Sequence, residues 1–434
     1  MASLKKQAFI LTMANGYSKV LGFILRLASA RLMGAEAMGV MELSSSAVML
    51  AVTPITAGIP TAISRLTARQ NADECAVLCA GVSLVKRLSL VLTPLMLLLS
   101  PGLAWLLGDG RTLPSLLVSV PLIPLLGLCA VYSGWFYGRD DAGTPALSEC
   151  AEQTVRCVLA LLLLVLFSHR PVAMKAALPG VAEVAAGITV WALFRRKTPR
   201  LARCVPQIDL RREILRLTAP TTAARLCQTA LRALNAVLLP VCLRRSGLSQ
   251  AAATAQFGLL NGMAMPFLML PGVVTGAICM VATPAVSRQE GEHRRLRHTM
   301  RQLLLSAFLV GIGSMGGLML LADFIGTELF HEPGLAPLLR LMSPAALLFA
   351  LQQVQFGLIT GLGVQNKALT GTVISSFLTL GITAALCPLA RFRLYGAAIA
   401  CLCGAMMRVV WNQMVLHRAR KRSSVLPPCE ALLA

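Results

Sequence analysis

The chain consists largely of apolar stretches of about twenty residues, separated by short breaks that carry charged residues, glycine or proline. A helix of about 20 apolar residues is long enough to cross a hydrocarbon layer about 30 Å thick. Twelve such stretches can be counted, with approximate limits 8–33, 38–63, 84–107, 114–137, 148–167, 172–194, 214–243, 251–284, 302–325, 338–361, 368–390 and 394–416. The pattern predicts an all-α integral membrane protein with about twelve transmembrane helices.

The composition agrees with this pattern. Of the 434 residues, 56% are hydrophobic and 13% are charged, and the mean hydropathy is +0.72. A soluble globular chain carries about 25% charged residues. The composition therefore excludes a cytosolic enzyme, a disulfide-knit secreted module and a coiled coil.

The charge balance is strongly basic, with 40 Lys and Arg against 18 Asp and Glu. In a soluble protein this excess would suggest nucleic acid as a partner, but cytoplasmic loops of membrane proteins collect Lys and Arg. The basic segments 195–213, 286–301 and 417–422 fall on the side of Lys5 and Lys6 when twelve spans are counted. The sequence therefore predicts that both termini are cytoplasmic and that the protein binds no nucleic acid.

Two segments of the chain repeat at nearly the same offset. GIPTAISR at 58–65 ends span 2 as ATPAVSR at 282–288 ends span 8, and Gly138 and Gly361 end spans 4 and 10 within similar segments. We therefore expect two six-helix pseudo-repeat lobes around a central cavity, at residues 1–200 and 201–434. Two halves that enter the membrane in the same direction are a transporter design.

Two predicted spans carry a polar stripe with positive charges. An ionisable group at bilayer depth costs about 2.5–3.5 kcal/mol on insertion scales, so such groups are candidates for function. The candidate substrate-binding residues are Asn15, Lys19 and Arg26 in span 1, and Arg225, Gln228, Arg232 and Asn235 in span 7. Within each span the two cations are seven residues apart, which places them on one helix face.

Carboxylates at this depth are scarce, with Glu42 and Glu183 the two well-embedded ones and Arg156 spaced to pair with Glu152. The excess of cations predicts an anionic ligand, and a phosphate matches the fork of an arginine. Two alternatives stay open: Lys19 reaches a lipid headgroup, or Arg225 pairs with Glu42.

Proline residues interrupt many spans, and Pro266 and Pro271 are the first candidates for hinges because each frees a backbone carbonyl. The alternative is that prolines are simply common in membrane helices. Signatures of enzymes, such as GxxxxGK[ST], HExxH and GxSxG, are missing from the sequence. We expect no catalytic residue, metal site or cofactor.

Several segments resemble a family of sporulation-associated polysaccharide flippases in the multidrug/oligosaccharidyl-lipid/polysaccharide exporter superfamily, which is related to lipid II flippases. They include YSKVLGFILRLASARLMGAEAMGV at 17–40, GIPTAISR at 58–65, GWFYGRDDAGTPALSECAEQTVR at 134–156 and GLITGLGVQNKA at 357–368. The resemblance covers about residues 5–420 and implies two helical lobes of the MATE type. It also implies that Lys19 takes the place of a cavity arginine of the lipid II flippases.

The implied activity is export, by alternating access, of an undecaprenyl-pyrophosphate-linked saccharide such as a peptidoglycan or spore-cortex precursor across the bacterial cell membrane. The partners would be the lipid-linked oligosaccharide, membrane lipids and cell-wall synthesis enzymes. Two other functions stay open: a multidrug cation antiporter on the same fold, which would use Glu42 or Glu183, and a membrane scaffold without transport activity.

Overall fold

A computed structural model of the protein describes residues 2–69, 73–198, 208–288 and 293–423, and these residues form helices and turns without a β-strand. The α-helices are α1 (Ala2–Thr56), α2 (Ile59–Thr67), α3 (Glu74–Leu106), α4 (Leu113–Ser119), α5 (Leu122–Gly138), α6 (Gly143–Leu166), α7 (Val172–Lys197), α8 (Ile208–Arg245), α9 (Gln250–Gly258), α10 (Met265–Leu268), α11 (Pro271–Arg288), α12 (His293–Asp323), α13 (Leu335–Gly361), α14 (Gln365–Leu386) and α15 (Arg393–Ser423). Short π-helical turns at Leu259–Ala264 and Phe324–Leu329 follow α9 and α12.

Within the described ranges, eight helices are long and apolar enough to cross a membrane. Two bent pairs also qualify: Gly110–Ser119 with Leu122–Gly138, bent by 41°, and Gln250–Leu268 with Pro271–Cys279, bent by 51°. The prediction of an all-α membrane protein is thereby confirmed.

The first of these helical stretches accounts for two of the predicted spans. It runs over Ile10–Thr67, 58 residues, which would measure about 87 Å at 1.5 Å per residue and greatly exceed the bilayer. Gly34 interrupts it with a φ of 76°. Helix α6 is long enough to span the membrane and carries the charges of Glu149, Glu152 and Arg156. Eight described helices, or ten spans with the two bent pairs, are long and apolar enough to cross a membrane, and the number of twelve crossings stays a prediction.

The largest difference in helix limits concerns span 3, which was predicted to begin near residue 84 and begins at Glu74. The carboxylate of Asp73 caps this helix by accepting a hydrogen bond from the Ala76 amide at 3.1 Å. Capping satisfies an amide that the first turn leaves without a partner. The predicted limit at residue 84 therefore left out the first ten residues of α3, of which Ala76, Val77, Leu78, Ala80, Gly81 and Val82 are buried.

By packing, the chain divides into two units. The first consists of Met1–Pro240 and Gln250–Gly258, and the second of Val241–Ser249 and Leu259–Ala434. This division differs from the predicted boundary between residues 200 and 201, because most of α8 packs with the first unit. The two six-helix lobes rest on a repeat in the sequence and stay a prediction.

The segments that repeat in the sequence make similar close contacts within each unit. In the first unit, a Cβ atom added at Gly138 would lie 2.7 Å from the Ser64 carbonyl oxygen. In the second, a Cβ atom added at Gly361 would lie 2.8 Å from the Thr283 carbonyl oxygen. Small residues let membrane helices approach backbone to backbone. The repeated glycines therefore serve the same packing need in both units.

An ionic network joins α1, α9 and the turn between α3 and α4 in the first unit. The carboxylate of Asp109, 1% exposed, accepts hydrogen bonds from the Arg111 guanidinium at 2.7 and 2.9 Å and from the Thr254 hydroxyl at 3.0 Å. Arg111 also forms an ion pair with Glu36. Burial acts to raise the pKa of Asp109, but the hydrogen bonds from Arg111 and Thr254 together hold that pKa below its usual value.

The glycine contacts predict a specific sensitivity. A Cβ atom at Gly134 would lie 2.5 Å from the Pro60 carbonyl oxygen, and backbone atoms cannot move aside cheaply. We expect Gly134→Ala to lower the free energy of unfolding by about 1–3 kcal/mol, measured by thermal unfolding in detergent. Gly102→Ala, where nothing lies within 4 Å, is the control and should be neutral or slightly stabilising. Equal effects of the two substitutions would contradict this packing.

The Asp109 network predicts a pH-dependent contribution to stability. Because the folded-state pKa of Asp109 is depressed, its contribution is present at pH 7 and is lost as the pH falls below about 4. We expect Asp109→Asn to lower the melting temperature at neutral pH, and the difference from wild type to shrink in acid. Thr254→Val removes one donor but keeps the carboxylate, so its melting temperature should still depend on pH in this range. A difference between Asp109→Asn and wild type that does not change with pH would refute the prediction.

Candidate functional site

The first unit contains a cavity of about 250 Å³ that reaches both halves of α1 and helices α4 to α7. Its lining includes small residues from different helices, which leave room for the cavity, among them Gly22, Ser29, Ser115 and Gly180. Four charged side chains line it: Arg26, Glu42, Arg156 and Glu183. These charges lie within predicted spans, so they must be paired or hydrated inside the cavity.

Arg26 and Glu42 form an ion pair across the break in α1. Each lies eight residues from Gly34, whose positive φ turns the chain so that the two halves of the helix can face each other. The side chains are 36% and 20% exposed. The sequence left open a pairing of Glu42 with Arg225. In the structure, Glu42 forms its ion pair with Arg26 instead.

Arg156 is the second cation of the cavity. Its Nη1 atom lies 3.8 Å from Oε1 of Glu183 on α7, and its Nη2 donates to Gln153 Oε1 at 2.8 Å. Its Nε atom is buried without a hydrogen-bond partner among the described residues. The sequence spacing favoured Glu152 as the partner of Arg156. The ion pair in the structure is with Glu183 on α7, and the charges of Arg156 and Glu152 interact as well.

The lining of this cavity is therefore balanced in charge, with two arginines and two glutamates. Of the seven predicted substrate-binding residues, Arg26 alone is among its lining residues. The other three predicted cations, Lys19, Arg225 and Arg232, lie outside this lining, on α1 and α8. Arg156 is a cavity residue to which the sequence reasoning gave no role in binding, and Glu183 had one only in the antiporter alternative.

Lys19, Arg225 and Arg232 are exposed, and none of them forms an ion pair with a described residue. Lys19 lies one turn before Gly22 on the stripe of α1 that reaches the cavity. Three cations at predicted bilayer depth thus have no carboxylate partner in the part of the chain that the structure describes.

The stripe of α8 that carries Arg225 and Arg232 also approaches α1. Thr229 lies between the two arginines on this face, and its hydroxyl is 3.2 Å from that of Thr53. The Thr53 hydroxyl donates at 2.6 Å to the carbonyl of Met49, one turn away, and Met49 lines the cavity. The stripe of α8 therefore contacts α1 about one helical turn from the cavity.

The predicted polar and hinge residues have mixed environments. Asn15 and Gln228 are half-buried, and the Oδ1 atom of Asn235 is buried without a hydrogen-bond partner among the described residues. Pro271 begins α11 at the 51° bend, and Pro266 lies in the first turn of α10 just before it. The bend agrees with a hinge in position, and the hinge role of Pro266 and Pro271 stays a prediction.

The chain is similar to a known protein family and to characterised bacterial proteins. Residues 4–290 match the family model described as polysaccharide biosynthesis protein. The chain is 28% identical over 444 residues to stage V sporulation protein B of Bacillus subtilis (strain 168), covering 97% of this chain and 84% of that protein. It is 22% identical over 454 residues to lipid II flippase MurJ of the same organism, covering 96% and 83%.

Solved structures share the fold. The inward-facing conformation of a multidrug resistance MATE family transporter of the MOP superfamily matches with a TM-score of 0.73 over 93% of this chain and 96% of that one. The identity of 16% limits this likeness to the fold. The resemblance predicted from the sequence segments is confirmed.

The ion pair of the cavity predicts energetic coupling between its two members. Arg26→Met or Glu42→Leu alone leaves one charge without its partner, and each should cost about 1.5–3 kcal/mol of unfolding free energy. The double variant should cost less than the sum of the two, because no unpaired charge then remains. Thermal unfolding of the three variants in detergent measures the coupling. Strict additivity would show that the pair contributes nothing.

Proposed function

The chain belongs to the polysaccharide biosynthesis protein family, and we propose that it exports a saccharide linked to undecaprenyl pyrophosphate. The family and the multi-pass helical fold make the protein a membrane flippase. The names of two relatives, a lipid II flippase and a stage V sporulation protein, support a peptidoglycan or spore-cortex precursor as the substrate. The proposal places the protein in the bacterial plasma membrane.

Orientation belongs to the same proposal. Two of the basic segments that predict cytoplasmic termini lie partly outside the described residues, since 199–207 and 289–292 are not among them. Lys and Arg next to membrane spans favour the cytoplasmic side. With both termini cytoplasmic, the substrate enters from the side on which its lipid carrier is loaded and leaves at the outer face by alternating access.

The observation that carries the proposal is the set of three cations without carboxylate partners, Lys19, Arg225 and Arg232. Leaving such groups unpaired at bilayer depth is costly, and a phosphorylated ligand would remove that cost. Arginine binds phosphate oxygens through two parallel hydrogen bonds, so the two α8 arginines suit a pyrophosphate. The prenyl chain stays in lipid while the headgroup is held at these cations.

Arg26 differs from the other three because it already has a partner. For Arg26 to bind phosphate, its interaction with Glu42 must weaken or be shared. We therefore assign Arg26 a smaller share of substrate binding than Arg225 and Arg232. Asn15, Gln228 and Asn235 supply amide groups that can bind saccharide hydroxyls.

A multidrug cation antiporter is the second candidate, and the fold shared with a MATE family transporter favours it. Such a transporter needs a carboxylate that can bind a cation. In this cavity both carboxylates, Glu42 and Glu183, face an arginine. The charge arrangement therefore favours the flippase. Uptake of a cationic dye that is lost in Glu42→Gln would reverse this preference.

The proposed route also includes partner proteins. Cell-wall synthesis enzymes would consume the exported precursor, which favours an association between them and the flippase. A scaffold without transport activity is the competing explanation. Deletion within 195–213 that loses a cell-wall enzyme partner while flipping continues would favour the scaffold.

The proposal predicts loss of transport when the α8 cations are removed. In vesicles that contain a labelled lipid-linked precursor, we expect Arg225→Ala and Arg232→Ala each to slow flipping about tenfold to a hundredfold, through loss of charged hydrogen bonds. Arg26→Ala should slow it less. Arg216→Ala is the control, since Arg216 lies nine residues before Arg225, on about the opposite face of α8.

The melting temperature of each variant in detergent separates loss of function from loss of fold. A folded double variant of Arg225 and Arg232 that flips the precursor at the wild-type rate would exclude the proposed site. An effect of Arg216→Ala equal to that of Arg225→Ala would show a general dependence on positive charge.

A further inference from the structure

The second unit contains a groove of about 700 Å³ between α12, α13 and α15, which we call the α12–α15 groove. One end is lined by Arg297, Arg301 and His417, and the rest of the lining is mainly apolar. Arg297 and Arg301 lie in the first three turns of α12, and His417 lies in the last two turns of α15. This groove lies outside the site proposed for the exported saccharide and does not depend on that proposal.

The cationic end has no carboxylate to neutralise it among the described residues. In the described part of the second unit, the carboxylates are those of Asp323, Glu328 and Glu332. Asp323 is the last residue of α12 and pairs with Arg340. It follows Arg301 by 22 residues, which is about 33 Å along a helix. Among the described residues, no carboxylate therefore neutralises the cationic end, which makes this end suited to an anionic ligand.

The apolar walls continue from the cationic end along the same helix. Leu305 and Phe308 follow Arg301 by four and seven residues, so the three side chains form one stripe. The two apolar side chains are 54% and 41% exposed. The distance from Arg297 to Phe308 is about 16 Å along the helix axis. The groove thus joins a cationic end to an apolar end over a length that fits one amphiphilic molecule.

A buried polar atom borders the groove as well. Gln355 is 2% exposed. Its Nε2 atom donates hydrogen bonds to the Val409 carbonyl and to Gln413 Oε1, both at 3.2 Å. Its Oε1 atom is buried and has no hydrogen-bond partner in the described structure. A buried acceptor without a donor is unfavourable. A ligand hydroxyl would satisfy it.

We propose that the α12–α15 groove binds an anionic glycerophospholipid of the surrounding membrane. The headgroup phosphate lies against Arg297, Arg301 and His417, and one acyl chain follows Leu305 and Phe308. A glycerol hydroxyl of the headgroup supplies the donor for Gln355 Oε1. Charge complementarity selects an anionic lipid over a neutral one, because basic residues at a membrane surface attract anionic headgroups.

The bound lipid would hold three helices of the second unit together. Because α12, α13 and α15 all line the groove, a lipid that occupies it contacts all three in the folded state and none of them in the unfolded chain. Such a ligand raises the melting temperature by mass action. Stability in detergent should therefore depend on the lipid that is added.

Binding of defined lipids to the full chain in detergent tests the proposal. Phosphatidylglycerol should raise the melting temperature and stay bound in native mass spectrometry, whereas phosphatidylcholine should do neither. Arg301→Glu should weaken phosphatidylglycerol binding at least about fivefold, the change expected for one basic residue near an anionic headgroup. Lys367→Glu is the control, since Lys367 is exposed on α14, which contributes no residue to the groove lining, and it should keep the wild-type affinity.

A second pair of variants tests the apolar part without changing charge. Leu305→Trp fills the groove and should displace phosphatidylglycerol, whereas Leu321→Trp, at an exposed position on about the opposite face of α12, should not. Equal binding of phosphatidylcholine and phosphatidylglycerol would overturn the proposal. So would polyprenyl phosphate binding in the groove when phosphatidylglycerol does not, since the occupant would then be the saccharide carrier.

Discussion

The ion pair between Arg26 and Glu42 depends on a single backbone feature, the positive φ of Gly34. Without that break, α1 would continue as one helix and the two residues would lie sixteen positions apart, about 24 Å along its axis. With the break, they meet inside the cavity of the first unit. Because the two charges are paired, a polar cavity can exist among apolar helices, and its lining has no net charge.

Pairing divides the embedded cations into two groups. Arg26 and Arg156 have glutamate partners and line a charge-balanced cavity. Lys19, Arg225 and Arg232 have none among the described residues, and they are the ones we assign to the substrate phosphates. A paired cation is neutralised by its glutamate, whereas an unpaired cation can be neutralised by an anionic ligand. The same distinction separates the flippase from a cation antiporter, which would need unpaired carboxylates.

The second unit uses charge in a different place. Its cations Arg297, Arg301 and His417 lie at the ends of helices, where a headgroup can reach them, and its interior contacts rely on small residues such as Gly361. The close contact at Gly361 corresponds to that at Gly138 in the first unit. The packing glycines thus recur in both units, whereas the ion pair described in the second unit, between Asp323 and Arg340, lies near the ends of α12 and α13.

The sequence by itself determined the helical membrane class, the approximate limits of most long helices and the repeated glycine segments. These follow from local rules, since hydrocarbon thickness fixes helix length and small residues mark close contacts. It also placed Lys19, Arg26, Arg225 and Arg232 within predicted spans, and their depth in the bilayer stays a prediction.

The tertiary structure decided which charges meet. Glu183 forms an ion pair with Arg156 because α7 packs beside α6, whereas the spacing along α6 suggested Glu152. Glu42 forms an ion pair with Arg26 because the chain turns at Gly34. The start of α3 at Glu74 and the extent of α8 within the first unit also depended on contacts outside the apolar pattern. An ion pair depends on how helices rotate and bend toward one another, and no local pattern in the sequence encodes that geometry.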